Sequence, residues 1–369
     1  MLHLSKHCRV LAVVCFTTGT WACNVTPISA RLDAASDRGD NSSGDSSPDN
    51  ASEDAERDLP GDTPGQADAR ADAREGDAAQ DSAVDGALCS RCTDWGAPQA
   101  EGLSPAVLTE LSGLAASHVH PGLLYGHNDS GDSARFFALT PQGHVNAELH
   151  LADATATDWE DISVGPCPSG SCVYIGDTGD NKADRAQYVI HRLAEPATLP
   201  ADGSVVTIPA TSYESFPFVY PDGPHNAETL LVHPVTGQIF IVIKETGIDA
   251  TVYEMPLPLQ ADQQVTLTLF SALTLSPIEG VVTDGSFHPC GDRLLIRTTG
   301  TTGLFELTRA AGASMTSLFM ATPVRVPVPI EPQGESVTYS LDGRSYFTGS
   351  ETVSGQPVPS LSMITCQAF

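Results

Sequence analysis

The sequence predicts an all-β fold, a β-propeller of four-stranded blades, with five blades as the reading and six as its alternative. Three observations lead there. From about residue 93 onward, short apolar runs are punctuated by Gly, Pro, Asp and Asn, and no stretch sustains a 3.6-residue period. A glutamate opens a short apolar run five times, at Glu110 (E-L-S-G-L), Glu160 (W-E-D-I-S), Glu228 (A-E-T-L-L), Glu279 (I-E-G-V-V) and Glu335 (G-E-S-V-T), at intervals of 50, 68, 51 and 56 residues. Each is followed by a polar turn and further apolar runs, so that position and chemistry repeat together at about the length of a propeller blade.

The chain begins with a secretory pattern over residues 1–22: a basic start (Lys6, Arg9), an apolar stretch from Val10 to Thr20, and Ala22 before Cys23. Ala22-Cys23 resembles the cleavage box of bacterial lipoproteins, which implies lipidation of Cys23, although Thr20 and Trp21 depart from that box. Simple secretion and an uncleaved anchor are the alternatives. The apolar stretch is short of the roughly 20 residues that a membrane span requires. Residues 23–88 form a linker dominated by Asp, Ala, Ser, Gly and Pro; residues 24–88 carry 16 acidic and 5 basic side chains. With so little apolar surface to bury, this linker is expected to be a disordered, self-repelling tether. The propeller is assigned to residues 89–369, which hold a net charge of -19 of the chain's -28. That charge disfavours nucleic acid and anionic lipid, and leaves cations, neutral ligands and basic partners. The chain is expected to be exported and monomeric, in the periplasm, at the cell surface or secreted, touching a membrane only through its N-terminal lipid.

Six cysteines follow Cys23, an even number suited to disulfides in an exported protein. Cys167 and Cys172 flank a tight Pro-Ser-Gly-Ser turn and are expected to pair. Cys89 and Cys92 form a C-x-x-C with no second ligand pair in sight, which favours a local bridge and leaves Cys290 for Cys366.

Aligning the glutamates yields second strands at residues 122–128, 172–176, 238–244, 293–298 and 344–349. Third strands are expected at 135–140, 187–193, 251–255, 303–308 and 361–366, and more variable fourth strands at, for example, 265–275 and 324–328. The last unit ends at its third strand, so the ring should be closed by a strand from around Ala106 to Leu108. The 68-residue interval between Glu160 and Glu228 is what leaves room for a sixth blade.

The innermost strand of a blade lines the axis, so the glutamates at the heads of these strands should converge, joined by acids from the loops between second and third strands. Like charges so close need a cation, donors or raised pKa values. Oxygen ligands without convergent His or Cys suit Ca2+. The candidate metal ligands are Glu110, Asp129, Glu160, Asp161, Asp177, Asp180, Asn181, Glu228, Glu279 and Glu335, with Glu160 or Glu228 as a general base. Neither D-W-E-D nor G-D-T-G-D-N has EF-hand spacing, and their Asp, Asn and Gly residues are also good turn formers. No G-x-S-x-G elbow is present to support a nucleophilic serine. Trp159 and the aromatics of the second strands are assigned to interblade packing.

E-L-S-G-L-A-A-S, H-N-D-S-G, D-W-E-D-I, G-D-T-G-D-N, A-E-T-L-L-V-H-P-V-T-G and Q-G-E-S-V-T-Y-S-L-D-G-R-S resemble a group of secreted bacterial β-propeller proteins of undefined function. That group is distantly similar to calcium-dependent phytase-like and lactonase-like propellers, and the resemblance spans residues 108–352. It implies a divalent cation on the acidic face and lactone or phosphoester hydrolysis. The bases that would hold phosphate are sparse, with Lys244, Arg297 and Arg185 the candidates. The rival expectation is a non-enzymatic surface module that recognises protein or glycan.

Overall fold

The computed structural model describes residues 91–244, 249–274, 280–299 and 303–369. The expected signal segment, Cys23, the acidic linker, Cys89 and Glu279 lie outside the described residues. In chain order the strands are β1 (Asp94–Trp95), β2 (Gln99–Leu103), β3 (Leu111–Ala116), β4 (Leu124–Asn128), β5 (Arg135–Leu139) and β6 (Val145–Leu151). Next come β7 (Trp159–Cys167), β8 (Gly170–Asp177), β9 (Tyr188–Ala194), β10 (Ser204–Ile208), β11 (Tyr213–Val219), β12 (Ala227–Val232), β13 (Ile239–Ile243) and β14 (Asp249–Glu254). The remainder are β15 (Val265–Thr266), β16 (Thr268–Thr274), β17 (Val282–Phe287), β18 (Arg293–Thr298), β19 (Leu304–Thr308), the helical turn α1 (Met315–Phe319), β20 (Val324–Arg325), β21 (Gly334–Tyr339), β22 (Ser345–Ser350) and β23 (Ser360–Ala368).

Among the described residues these strands form five sheets whose innermost members are β3, β7, β12, β17 and β21. Each innermost strand lies against the next around the ring, and β21 meets β3 to close it. This is a five-bladed propeller. Blades stack face to face, so an interior strand is covered on both sides and reads as an unbroken apolar run; β13, I-F-I-V-I, is buried along its whole length. An outer strand such as β6 instead alternates buried with half-exposed residues. One apolar core fills each of the five interblade gaps. Trp159 and Tyr125 pack between the first and second blades, Tyr174 between the second and third, and Phe240 between the third and fourth. Tyr346 lies between the fourth and fifth, and Phe347 with Leu361 joins the last blade to the first.

The long interval between Glu160 and Glu228 holds no sixth blade. After β9 the chain crosses to the first blade, where β10 adds parallel to β6, and then returns as β11 to pair with β9. Similarly, β15 joins the second blade beside β11 before β16 completes the third.

Closure differs from the expected Ala106–Leu108 strand. The segment that completes the last blade lies earlier: β2 pairs with β23 from Gln99↔Met363 to Leu103↔Ser360, and β1 continues along the same strand with Trp95↔Cys366. That register carries the preceding residues to the end of β23, and Cys92 is bonded to Cys366 rather than to Cys89. Cys290 is also in a disulfide, so the expected Cys290–Cys366 pair is replaced. The Cys167–Cys172 bridge across the β7–β8 hairpin is as expected.

Candidate metal centre

Each innermost strand begins with a β-bulge, a device that re-aims a side chain out of the regular alternation. In β7 the register passes from Trp159↔Asp177 to Asp161↔Gly176, leaving Glu160 as the extra residue. The same step isolates Glu228 in β12, Thr283 in β17 and Glu335 in β21, and in β3 it isolates Ser112 and Gly113. The structurally equivalent set is therefore Ser112, Glu160, Glu228, Thr283 and Glu335. Glu110 lies two residues before Ser112 and is exposed, and Glu279 precedes Thr283 by four. Both hydroxyls serve the ring itself: Ser112 Oγ donates to the Glu160 carbonyl at 2.6 Å and Thr283 Oγ1 to the Glu335 carbonyl at 3.1 Å, each tying one blade to the next.

A second ring follows from the backbone. The N–H groups of Asp129, Gly179, Lys244, Thr299 and Glu351 each donate back to the carbonyl two residues or so ahead of a bulge, on Glu110, Asp158, Asn226, Val281 and Gln333 respectively, at 2.8 to 3.1 Å. These five residues thus hold equivalent places where the second strands end, on the same face as the bulges.

The two rings bring Asp129, Asp158 and Glu160 together, with one carboxylate oxygen of each within 4.8 Å of the others. Glu160 is only 2 % exposed, and its carboxylate accepts no hydrogen bond among the described residues. Asp158 Oδ1 is likewise buried without a partner. Gly179 leaves room for this convergence, because a methyl there would collide with Glu160 Oε1 and with Asp158 Oδ2. Burial, followed by the Asp129 charge, pushes Asp158 up to about 6. Burial and then Glu228, Asp129 and Asp158 raise Glu160 well above the usual carboxylate range.

Across the ring, Glu228 is 4 % exposed and ion-paired with the Lys244 ammonium. Burial lifts it to about 7, against the opposing pull of Lys244. Gln333 Nε2 donates to Glu335 Oε1 at 3.2 Å and also to Glu351. Burial raises Glu335, and burial together with Glu335 raises Glu351 to about 8.

Other candidates are placed differently. Asp177 accepts from the Thr157 and Asp158 backbone N–H groups at 3.0 and 3.1 Å and pairs with Arg185 at 2.8 Å, so it positions the Asp158 turn from below. Asp180 accepts from the N–H groups of Asp184 and Arg185 and from Tyr188 Oη, which closes its own loop. Asn181 accepts from Asn226 Nδ2 at 3.2 Å on the exposed rim. Asp161 lies deeper, on the axis and fully buried. It accepts the N–H groups of Ile162 and, from the next blade, Leu230, both at 2.6 Å.

Asp284, on β17, is its counterpart, bonded to the N–H groups of Gly285 and, at 2.6 Å, Val337 of the following blade. The two carboxyl groups also bond each other across the axis, and burial raises both well above the ordinary range. This pair lies beneath the acidic face, in the buried interior of the ring. Asp284 was not singled out from sequence, since T-D-G-S reads as a turn; its signal is that it follows Thr283 as Asp161 follows Glu160. The first blade has Gly113 at this level. The buried ring of His127, its Nδ1 on the Asn128 carbonyl at 2.8 Å, takes the space that a side chain would need.

The bases are committed. Arg297 is fully buried between the fourth and fifth blades, donating from Nε to the Gly334 carbonyl at 3.0 Å, with Nη2 2.9 Å from Glu331. Arg185 is spent on Asp177 and the Gly179 carbonyl. What remains is a face rich in carboxylate oxygen, with the buried Glu160 carboxylate and the buried Asp158 Oδ1 at one edge, a donor set that suits a hard cation.

No protein-family model matches the chain, and no curated protein matches it either. Among solved structures, the chain is similar to a luciferin-regenerating enzyme at 14% identity and TM-score 0.39, covering 74% of this chain and 97% of that one. It is similar to hydrazine synthase of Kuenenia stuttgartiensis at 11% identity and TM-score 0.39, over 67% and 94%. A protein of Bacteroides uniformis assigned as a 6-phosphogluconolactonase matches at 12% identity and TM-score 0.33, over 70% and 72%. These likenesses are remote, and the five-bladed architecture stands on the strand pairings themselves.

Proposed function

We propose that the acidic face binds one divalent cation, Ca2+, at Asp129, Asp158 and Glu160, and that the face so loaded hydrolyses an uncharged lactone. The carrying observation is the convergence on one point of three carboxylates, of which Glu160 is buried and accepts no hydrogen bond among the described residues, while the half-buried Asp158 keeps its Oδ1 buried without a partner. Desolvated anions of this kind are costly unless a cation or protons compensate. When bound, the ion would act as a Lewis acid toward a carbonyl oxygen.

Glu228 supplies the base. Burial holds it at about 7, near the operating pH, where a carboxylate can accept a proton from water with useful driving force. Lys244 fixes its orientation through the ion pair. Lactone is preferred to phosphoester because Arg185 and Arg297 are tied up in structural bonds, while Glu335 and Glu351 would repel a dianion. Hydroxyl groups on a neutral substrate would find acceptors in those same carboxylates. The protein is further proposed to be exported and held at a membrane by lipid on Cys23, which metabolic labelling with palmitate would reveal and a Cys23→Ser change would abolish.

The test combines thermal melting with and without Ca2+ and a panel of lactones and phosphoesters. Ca2+ should raise the melting temperature, Glu160→Gln should remove that rise, and Glu228→Gln should keep the rise but lose turnover. Absence of any Ca2+ shift in the wild type would sink the cation reading. A shift without turnover of any lactone would leave a cation-stabilised recognition module for protein or glycan.

A further inference from the structure

The D-T-G-D-N loop that follows β8 surrounds the turn carrying Asp158, and its bonds meet at one side chain, Arg185. Guanidinium Nη2 lies 2.8 Å from Asp177 Oδ1, and Nη1 donates to the Gly179 carbonyl at 2.7 Å. Each of those two partners grips Asp158 in turn. Asp177 accepts from the Thr157 and Asp158 N–H groups at 3.0 and 3.1 Å, and Gly179 N–H donates to the Asp158 carbonyl at 3.1 Å. The arginine thus closes a ring of bonds around one candidate ligand, while making no ion pair with that ligand's carboxylate among the described residues. It is itself held in place. Its guanidinium carbon stands 5.0 Å from the centre of the Tyr188 ring, and Tyr188 Oη donates at 2.8 Å to Asp180 Oδ2, the oxygen that accepts from Arg185 N–H at 2.9 Å.

We propose that Arg185 is a positioning residue for the cation at Asp129, Asp158 and Glu160: by fixing Asp177 and Gly179 it holds the Asp158 carboxylate toward the ion, so that a positive charge beside the site tightens the binding of another. Coulomb's law alone predicts the opposite. Burial and the Asp129 charge raise Asp158, and the Arg185 charge is near enough to oppose them, so it would also repel an arriving cation. That repulsion is reduced by solvent, since the arginine side chain keeps 15 % of its exposure. Orientation is the larger effect, because loss of a group that orients a metal ligand costs about 10- to 100-fold in affinity. A guanidinium suits this task through its rigid fork, which reaches a carboxylate and a carbonyl at once; an ammonium is a single point of charge. The inference rests on the cation reading of the same three carboxylates, and the experiment separates the two.

The probes are Ca2+, followed by calorimetry on the full-length, disulfide-intact protein, and Tb3+ as a luminescent stand-in whose decay in H2O and D2O counts the waters left on the ion. Arg185→Met should weaken Ca2+ binding about 10- to 100-fold. Bound Tb3+ should gain about one water as the Asp158 oxygen withdraws from an oxygen-ligated ion. Asp158→Ala should act likewise, and the double variant should bind no more weakly than Asp158→Ala alone, because both changes remove one interaction. Arg185→Lys keeps the charge but not the fork, and should also bind weakly. Near-ultraviolet circular dichroism and melting in EDTA establish that each variant is folded. Unchanged or tighter Ca2+ binding by Arg185→Met, an unchanged water count, or additive losses in the double variant would each overturn the role of Arg185 and leave the cation site standing. No Ca2+ bound by the wild type overturns both readings. Should Arg185→Met not fold, Asp177→Asn removes the same ion pair from its other end with the same expected loss, and wild-type affinity there refutes the inference.

Discussion

Replacing Gly179 by alanine tests the candidate metal centre with the smallest available change. The added methyl would stand 2.5 Å from Asp158 Cγ and nearer still to the Glu160 and Asp158 oxygens, where ordinary contact requires about 3.5 Å. The carboxyl groups must therefore retreat by about 1 Å, which disperses the oxygens that converge with Asp129. Misplacement on that scale costs on the order of 100-fold in a preorganised site, equivalent to about 2.7 kcal/mol of ion binding. Gly179 has no left-handed conformation to lose, so alanine is compatible with its backbone. The loss of chain entropy in the unfolded state should offset part of the overpacking, and stability in chelator should change by less than about 2 kcal/mol. Calorimetric titration with Ca2+ reads the affinity, and melting in EDTA reads the fold. A Gly179→Ala protein that binds Ca2+ as tightly as the wild type would refute the placement of the ion at Asp129, Asp158 and Glu160.

The remaining predictions concern closure and pH. The Cys92–Cys366 bridge spans 274 residues, and in the chain-entropy model a loop of that size contributes roughly 5 kcal/mol, so Cys92→Ser should lower the melting temperature by roughly 10 °C. A drop of a degree or two would mean that β1 and β2 hold the ring shut without the bond. In chelator, the fold should lose stability as pH rises from 4 to 8. Asp158 at about 6, Glu228 at about 7 and Glu351 at about 8 all sit above their unfolded values, so the native state holds more protons throughout that window. Ca2+ should flatten the alkaline side of the profile by replacing those protons. A chelated protein that melts higher at pH 8 than at pH 5 would contradict the assignment.

The repeat could be read along the chain because a strand sandwiched between blades must be apolar on both faces, and I-F-I-V-I or C-V-Y-I-G then marks a second strand wherever it occurs. The glutamates were legible to the same extent. Glu160, Glu228 and Glu335 share the bulge position, but a bulge adds one unpaired residue, and nothing local to E-L-S-G-L or I-E-G-V-V says that Ser112 and Thr283 hold that place in the other two blades. Asp284 hid within a turn-like T-D-G-S for the same reason. Its partner is Asp161, 123 positions away in the chain, and only closure of the ring brings their carboxyl groups together.

Spacing found the local Cys167–Cys172 bridge but suggested Cys89 with Cys92, while the docking of β1 on the far end of β23 decided for Cys366. Lys244 could be counted as a base, but its role as the counter-charge of Glu228 depends on which residues face it across the axis. Taken alone, the chain determined its blades, its acidity and the kind of oxygen-rich face they would carry, because periodicity and composition are local properties. The number of blades, the strand that closes them and the three carboxylates that meet at one point were decided by tertiary structure, because each depends on distances between residues that only the closed ring sets.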